Sequence, residues 1–354
     1  MTRVACIDIG TVTARLAVAD VEGGRVTRML KQSTICNLGE GLTRTGLIAE
    51  AAAVRVLACV DSYLAAARQA QAPRICCTLT SAARDAGNSD ALLAELAARG
   101  LHAQVIPGKV EGSLTFLGVA QDFADREILV ADNGGGSTEI AVGSMGAERG
   151  LALDRVRSVD VGCRRMTEKF LSAGDPPSAD DVERARQWAR GMFDDAVAAE
   201  GVRELAPELM VTTGGTVTSL VAVKLGLEPY DPRRAHLAEL SREDVEDLLV
   251  RFAGVTEAER AAMAGLQPKR ASVILGGTIA VAALMESCGF DRLTVSESDL
   301  LFGLSICAAA AADGGASPLG WKTSLIWKSL PCSRAAAPRS PALWQSPKRR
   351  HLPI

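Results

Sequence analysis

Asp132 and Glu139 bracket the run Asn133-Gly134-Gly135-Gly136-Ser137-Thr138, set between the apolar stretches Ile128 to Ala131 and Ile140 to Val142. Acids on either side of three glycines suggest phosphate chemistry. Glycines put no Cβ into a tight turn, so successive backbone N–H groups can point at an anion that approaches the main chain closely. A carboxylate at the end of one apolar run and another at the start of the next suit a hard divalent cation such as Mg²⁺, which bridges protein and phosphate oxygens. A glycine-rich β-hairpin turn with solvated ends would leave the same trace, so this loop alone leaves both readings open.

The chain carries the pattern twice. After Val4 to Ile7, the run Asp8-Ile9-Gly10-Thr11-Val12-Thr13-Ala14-Arg15-Leu16-Ala17-Val18 superimposes on the later one without a gap. In both, Asp is followed by Gly at +2, a hydroxyl residue at +5 (Thr13, Ser137) and an apolar-Ala-Val triplet from +8. Two distant copies of strand, Asp-x-Gly turn and strand imply two similar lobes, each presenting a phosphate-grasping hairpin to a shared cleft. Actin-like phosphotransferases hold nucleotide phosphates in this way. A third small-residue turn, Thr213-Gly214-Gly215-Thr216-Val217-Thr218, follows an apolar strand and opens a helix, a place where free N–H groups and the helix dipole favour an anion. Close packing of that helix on its strand would explain the glycines equally well.

The elements around these turns alternate. Arg25 to Lys31 reads as a strand, Ile48 to Arg68 as an alanine-rich helix and Arg74 to Leu79 as a strand. Ala91 to Arg99 reads as a helix closed by Gly100, His102 to Ile106 as a strand, and Glu111 to Ala120 as a helix. Asp122 to Glu127 is a polar boundary. Beyond it come a strand at Val156 to Val161, a helix at Cys163 to Leu171, and a helix opened by a capping box at Ser178 to Asp181 with Val182, Ala185, Ala189, Met192, Phe193 and Ala196 on its apolar face. This alternation predicts an α/β protein of two ribonuclease H-like (actin-like) lobes with a central cleft. The 354 residues exceed one ordinary core and suggest lobes of roughly 120 to 180 residues. We expect boundaries at 1–121 for the first lobe, 122–312 for the second, and a tail at 313–354.

A formal charge of -3 makes no case for nucleic acid or an anionic membrane as partner. Nine cysteines without a CxxC pair, several inside apolar runs, suggest reduced thiols and a cytoplasmic protein. No signal segment opens the chain, and no uncharged run is long enough to cross a bilayer. His102, His236 and His351 fall in no motif, and no Ser-His-Asp or zinc constellation is present.

Taken together, the motifs resemble the exopolyphosphatase and guanosine pentaphosphate phosphatase family of the actin-like ATPase superfamily. They are the Asp8 loop, Leu38-Gly39-Glu40-Gly41-Leu42, Thr80-Ser81-Ala82-Ala83-Arg84 with Asn88, Gly108-Lys109-Val110-Glu111-Gly112, Asp132 to Glu139, Ser158 to Gly162, Gly214-Gly215-Thr216 and Gly265 to Arg270. The resemblance spans residues 3 to 305. It implies Glu111 as the catalytic base acting on water, with Asp132, Glu139 and Asp8 holding Mg²⁺ or Mn²⁺ and K⁺ as a further candidate cofactor. Substrate phosphates would meet Thr11, Thr13, Arg84, Asn88, Gly134, Gly135, Gly136, Ser137, Gly214, Gly215 and Thr216. Arg84 suits that task because a guanidinium donates paired hydrogen bonds and stays charged.

The implied reaction releases orthophosphate from the end of inorganic polyphosphate. The alternatives are guanosine pentaphosphate as substrate, a non-catalytic phosphate or polyphosphate-binding regulator, or an actin-like kinase, whose nucleoside and acceptor sites nothing here specifies. A homodimer is also implied. Four positions depart from the family pattern: Val12 for an Asn, Val110 for an acid, Ser113 for an arginine and Asn133 for an apolar residue. Losing polar groups at Val12 and Ser113 is expected to weaken phosphate contacts. The segment 313–354 changes composition, with Trp321, Trp327 and Trp344, six prolines and the basic end Lys348-Arg349-Arg350. It reads as a disordered or non-homologous tail.

Overall fold

The computed structural model describes residues 1–146 and 150–319, together with the backbone of a two-residue strand at 328–329. Its first sheet contains β1 (Thr2–Ile9), β2 (Thr13–Glu22), β3 (Arg25–Ile35), β4 (Arg74–Leu79) and β5 (Ala103–Val105). The second contains β6 (Ile128–Asn133), β7 (Thr138–Gly146), β8 (Gly150–Val159), β9 (Leu209–Thr213), β10 (Glu239–Ser241) and β11 (Arg292–Ser296). Both follow one plan. The antiparallel run β1-β2-β3 is continued on its other side by parallel β4 and β5, just as β6-β7-β8 is continued by parallel β9 and β11, with β10 added antiparallel at the edge. The duplication expected from the two Asp-x-Gly runs is therefore a duplication of sheet topology. The last strand, β12 (Lys328–Ser329), lies antiparallel to β4.

In the first lobe the helices are α1 (Leu42–Thr45), α2 (Glu50–Gln69), α3 (Ser81–Asp85), α4 (Ser89–Ala98) and α5 (Gly108–Val119). In the second they are α6 (Cys163–Phe170), α7 (Ala179–Ala199), α8 (Gly215–Leu225), α9 (Pro232–Ala235), α10 (Arg242–Ala253), α11 (Glu257–Ala261) and α12 (Ala271–Cys288), followed by α13 (Leu300–Ala312). Gly100 takes a left-handed φ after α4, and its N–H closes on the Ala97 carbonyl at 2.9 Å, the turn that ends a helix cleanly. Ser178 caps α7 by accepting from the Asp181 N–H at 3.1 Å, and the Asp181 carboxylate accepts in turn from the Ser178 hydroxyl. The apolar face expected for α7 is buried at Ala185, Ala189, Phe193 and Ala196, with Val182 and Met192 packed at its margin. Residues Pro268–Cys288 are long and apolar enough to cross a membrane by length and composition, and 89% of that stretch is buried inside the protein. In this fold it is the core helix of the second lobe.

Chain order misassigns two helices. Helix α5, which ends the first lobe in sequence, lays Phe116, Val119 and Ala120 against Ile128, Val130, Ala141 and Val156 of the second sheet. Helix α13, placed with the second lobe by chain order, packs Leu300, Leu304 and Cys307 on Val4, Cys6 and Ala17 of the first sheet. The two cross where Gly118 meets the Asp299 carbonyl and Gly303 meets the Leu114 carbonyl, an approach that leaves no room for a Cβ. Each lobe thus borrows a helix from the other's stretch of chain, because each sheet has an apolar face that its own segment leaves uncovered.

The described part of the expected tail is also folded. Ser317 is buried and donates to the Cys307 thiol, and Leu319 packs on the α13 cluster. Expectations for Trp321, Trp327, Trp344 and Lys348-Arg349-Arg350 lie outside the described residues, as does Cys332. The eight described cysteines are all free and buried.

Candidate active site

The two glycine hairpins close in the same way. The N–H of Gly10 donates to the Thr13 carbonyl and that of Gly134 to the Ser137 carbonyl, each at 3.0 Å. They meet across the lobes. A Cβ on Gly135 would come within 2.7 Å of Thr11 Cβ, and one on Gly136 would collide with the Ser81 hydroxyl, so the glycines are needed for this contact. Between and beyond them lies a cavity of about 550 Å³ lined from both lobes. Among the described residues nothing bonds to the N–H groups of Thr11, Val12, Gly135, Gly136 and Ser137, and the buried Thr11 hydroxyl has no partner. Such orphaned donors are costly to bury and suit an anion.

Asp8, Thr11, Thr13, Glu111, Asp132, Gly134, Gly135, Gly136, Ser137, Gly214, Gly215 and Thr216 all line this cavity, although they span two sheets and two helix starts. Glu139 lies just behind the wall, 2% exposed, where its Oε1 accepts from the Ser158 hydroxyl at 2.7 Å. Thr216 commits its hydroxyl to Asn133 Oδ1 at 3.0 Å, leaving the start of α8 to offer backbone N–H groups. Asn88 is elsewhere. Its amide clamps the backbone of Ile48, accepting from the N–H at 2.8 Å and donating to the carbonyl at 3.0 Å, so its role is structural rather than phosphate binding.

Arg84 faces Glu111 rather than empty cleft. Its Nη1 donates to Glu111 Oε2 at 2.5 Å and to the Ile106 carbonyl at 3.0 Å, while Nη2 reaches the Ser137 hydroxyl at 3.3 Å and Glu139 at 3.7 Å. The acid next to it in the chain, Asp85, pairs with Arg165, and Glu40 pairs with Arg55. Burial pushes the Glu111 carboxyl well above its usual range, Glu139 adds to the rise, and Arg84 opposes both. Burial works against the Arg84 charge, and Glu111 with Glu139 outweighs it, so the guanidinium is held more firmly charged.

The repeats differ most tellingly at +7. Asp8 is paired across its hairpin with Arg15, whose Nη2 lies 2.6 Å from Oδ2. Asp132 is paired across the equivalent hairpin with Glu139, a second acid. The first lobe thus neutralises its own aspartate and the second does not. Burial pushes Asp132 up to about 6, Arg15 opposing and Asp299 and Asp8 adding to the rise; burial and Asp132 push Glu139 up to about 7. A cation would relieve this repulsion. Among the described residues no three His, Cys, Asp or Glu side chains gather into an ion-holding group. Mg²⁺ is commonly held by one or two carboxylates and completed by substrate phosphates and water. The donor set therefore fits such an ion at Asp132, with Asp8 already engaged.

Several cavity residues escaped sequence reasoning. Asp299, the N-cap of α13, accepts from Arg15 at 3.1 Å and from Lys31 at 3.0 Å. Lys31 and Asp299 are 268 positions apart, and no local signal links them. Arg270 lines the cavity against Gly215, and it forms no ion pair among the described residues. Its run, Gly265 to Arg270, is a motif whose role the sequence alone does not disclose. The departures also acquire physical reasons. Val12 is buried with Ile35, Cys163 and Val273 in an apolar plug between the lobes, and Ser113 spends its hydroxyl on the Lys109 carbonyl of its own helix at 2.7 Å. Val110 packs against the α13 cluster, and Asn133 donates to Thr138 at 2.9 Å, bridging the second hairpin to α8.

Comparison with known proteins follows the same lines. A model of the Ppx/GppA phosphatase family matches residues 17–304. The chain is 36% identical to exopolyphosphatase 2 of Mycobacterium tuberculosis, with 87% of this chain and 99% of that protein covered. Among solved structures, the Ppx/GppA family member of Aquifex aeolicus superimposes with a TM-score of 0.71 at 27% identity, covering 88% of this chain and 99% of that one. An exopolyphosphatase-like protein superimposes with a TM-score of 0.79 at 26% identity, covering 88% and 98%.

Proposed function

Given that this chain belongs to the Ppx/GppA phosphatase family, we propose that it removes orthophosphate from the end of inorganic polyphosphate. Its similarity along nearly the whole of a protein named exopolyphosphatase supports that substrate. The observation that carries the reading is the pair of facing hairpins, with unpartnered N–H groups and the Thr11 hydroxyl turned on one cavity beside Glu111.

In this reading the terminal phosphoryl group sits between the hairpins, held by backbone N–H groups from both lobes. Glu111 accepts a proton from water as its oxygen bonds to the terminal phosphorus; the bridging P–O bond breaks, and orthophosphate leaves with a chain one unit shorter. Positioning and charge neutralisation account for most of such catalysis, with the base adding roughly 10² to 10⁴ in rate. Arg84 keeps the Glu111 carboxylate aimed and offsets its burial. Mg²⁺ or Mn²⁺, held through Asp132 with Glu139 behind it, would supply charge neutralisation to the phosphate oxygens.

One observation favours a second reading. The cavity runs on past the hairpins to Ala222, Leu227, Tyr230 and Leu266, with Glu228, Gln267 and Arg270 among them, a mixed apolar and polar extension with room for a nucleoside and hence guanosine pentaphosphate. Orthophosphate release from polyphosphate, guanosine pentaphosphate and ATP, measured side by side with Mg²⁺, separates the two. Fastest turnover of polyphosphate is the expected result, and no release from any of the three would sink the hydrolase reading for this chain.

A further inference from the structure

We propose that Thr115 is a positioning residue that aims the Asp132 carboxylate at the phosphate-bound cation, an inference that rests on reading Asp132 as a cation ligand. Glu111 and Thr115 stand one turn apart on α5, so the helix face that presents the base also presents a hydroxyl. Buried helical hydroxyls ordinarily donate to the carbonyl four residues back. In this protein Ser113, Ser219, Thr278 and Ser305 do so, as does half-buried Thr167, at 2.6 to 2.8 Å, whereas Thr216 donates to Asn133 and the Ser287 hydroxyl has no partner among the described residues. Thr115 does not donate back either. Its hydroxyl, 1% exposed, donates to Asp132 Oδ2 at 3.2 Å.

A hydroxyl has one proton to give, and burial removes water as a competing acceptor. The bond therefore fixes one carboxylate oxygen from the core side. The other, Oδ1, lies beside Gly214 on the cavity wall, where a Cβ would come within 3.0 Å of it. Oδ1 accepts no hydrogen bond among the described residues, so it is the oxygen left for a cation. The β-branched side chain has few rotamers in a helix, so the donor itself is stiff. Groups that orient a metal-ligating carboxylate commonly matter ten- to a hundred-fold in metal affinity.

Thr115→Val keeps the shape and deletes the hydroxyl, while Thr115→Ser keeps the hydroxyl. Mn²⁺ affinity would be read by electron paramagnetic resonance with orthophosphate present, alongside the Mg²⁺ concentration giving half-maximal phosphate release and the Tm. The valine variant is expected to weaken Mn²⁺ binding and raise the Mg²⁺ requirement by roughly ten-fold, with kcat at saturating Mg²⁺ near that of the parent, and the serine variant to restore both. A valine variant with parental metal parameters overturns the proposal, whether or not its Tm falls. Asp132→Asn separates the two layers of inference. Parental Mn²⁺ binding in that variant would remove Asp132 as a ligand and the site reading with it, whereas lost binding there beside parental binding in Thr115→Val overturns the role of Thr115 alone.

Discussion

Arg84 Nη1 lies 2.5 Å from Glu111 Oε2, on an arginine that also reaches Ser137 and Glu139 of the opposite lobe. Glu111 is therefore held by a cation that spans the cleft. That cation offsets the burial and the Glu139 charge that push the Glu111 carboxyl up.

Glu111→Gln removes the carboxylate proposed as proton acceptor and keeps the shape. Phosphate release is expected to fall by about 10² to 10⁴ while polyphosphate binding persists. Steady-state turnover with a direct binding measurement checks this, and undiminished turnover would take Glu111 out of the base role.

Arg84→Ala is expected to move the acid limb of the pH–rate profile upward. A base must be deprotonated to act, Arg84 favours the charged carboxylate, and its loss leaves burial and Glu139 unopposed. A profile that drops in height with no shift in its limb would mean that Arg84 serves the phosphate alone.

Without metal, the fold should lose stability as pH rises from about 5.5 to 7.5. Glu139 at about 7 and Asp132 at about 6 lie above their unfolded values, so within that window the native state binds more protons than the unfolded chain. Mg²⁺ should raise Tm more at the upper end, and Asp132→Asn should flatten both effects. Thermal denaturation at several pH values tests the sign; a metal-free Tm that climbs across the window contradicts the assignment.

Asn88→Ala should cost about 1 to 2 kcal/mol of stability, the worth of two bonds to the Ile48 backbone, and leave KM for polyphosphate unchanged. A raised KM at parental Tm would restore Asn88 to the substrate site.

Glu168 on α6 accepts from the N–H groups of Gly41 and Thr43 at 2.8 and 3.3 Å, and the neighbouring Arg164 donates to Asn37 at 2.6 Å. The loop Leu38 to Leu42 is thus the first lobe's half of a clasp. Glu168→Ala is expected to speed hydrogen exchange at residues 39–46, with a loss of about 1.5 to 3 kcal/mol for bonds to a charged group. Parental exchange there would mean that Glu168 does not hold this loop.

By itself the sequence determined the two-lobed α/β plan and the glycine hairpins, because a gap-free repeat of Asp-x-Gly between apolar runs is local and survives without knowing what it faces. It also determined most of the cavity wall, since Thr11, Glu111, Asp132 and Ser137 each sit inside a short motif. Tertiary structure decided what each charge is paired with. Asp8 is neutralised by Arg15 while Asp132 faces Glu139; Arg84 turns to Glu111; Lys31 finds Asp299. It decided, too, that α5 and α13 change sides and that Asn88 props a loop. Pairing depends on distances between residues far apart in the chain, and those distances exist only once both sheets have buried their apolar faces against borrowed helices.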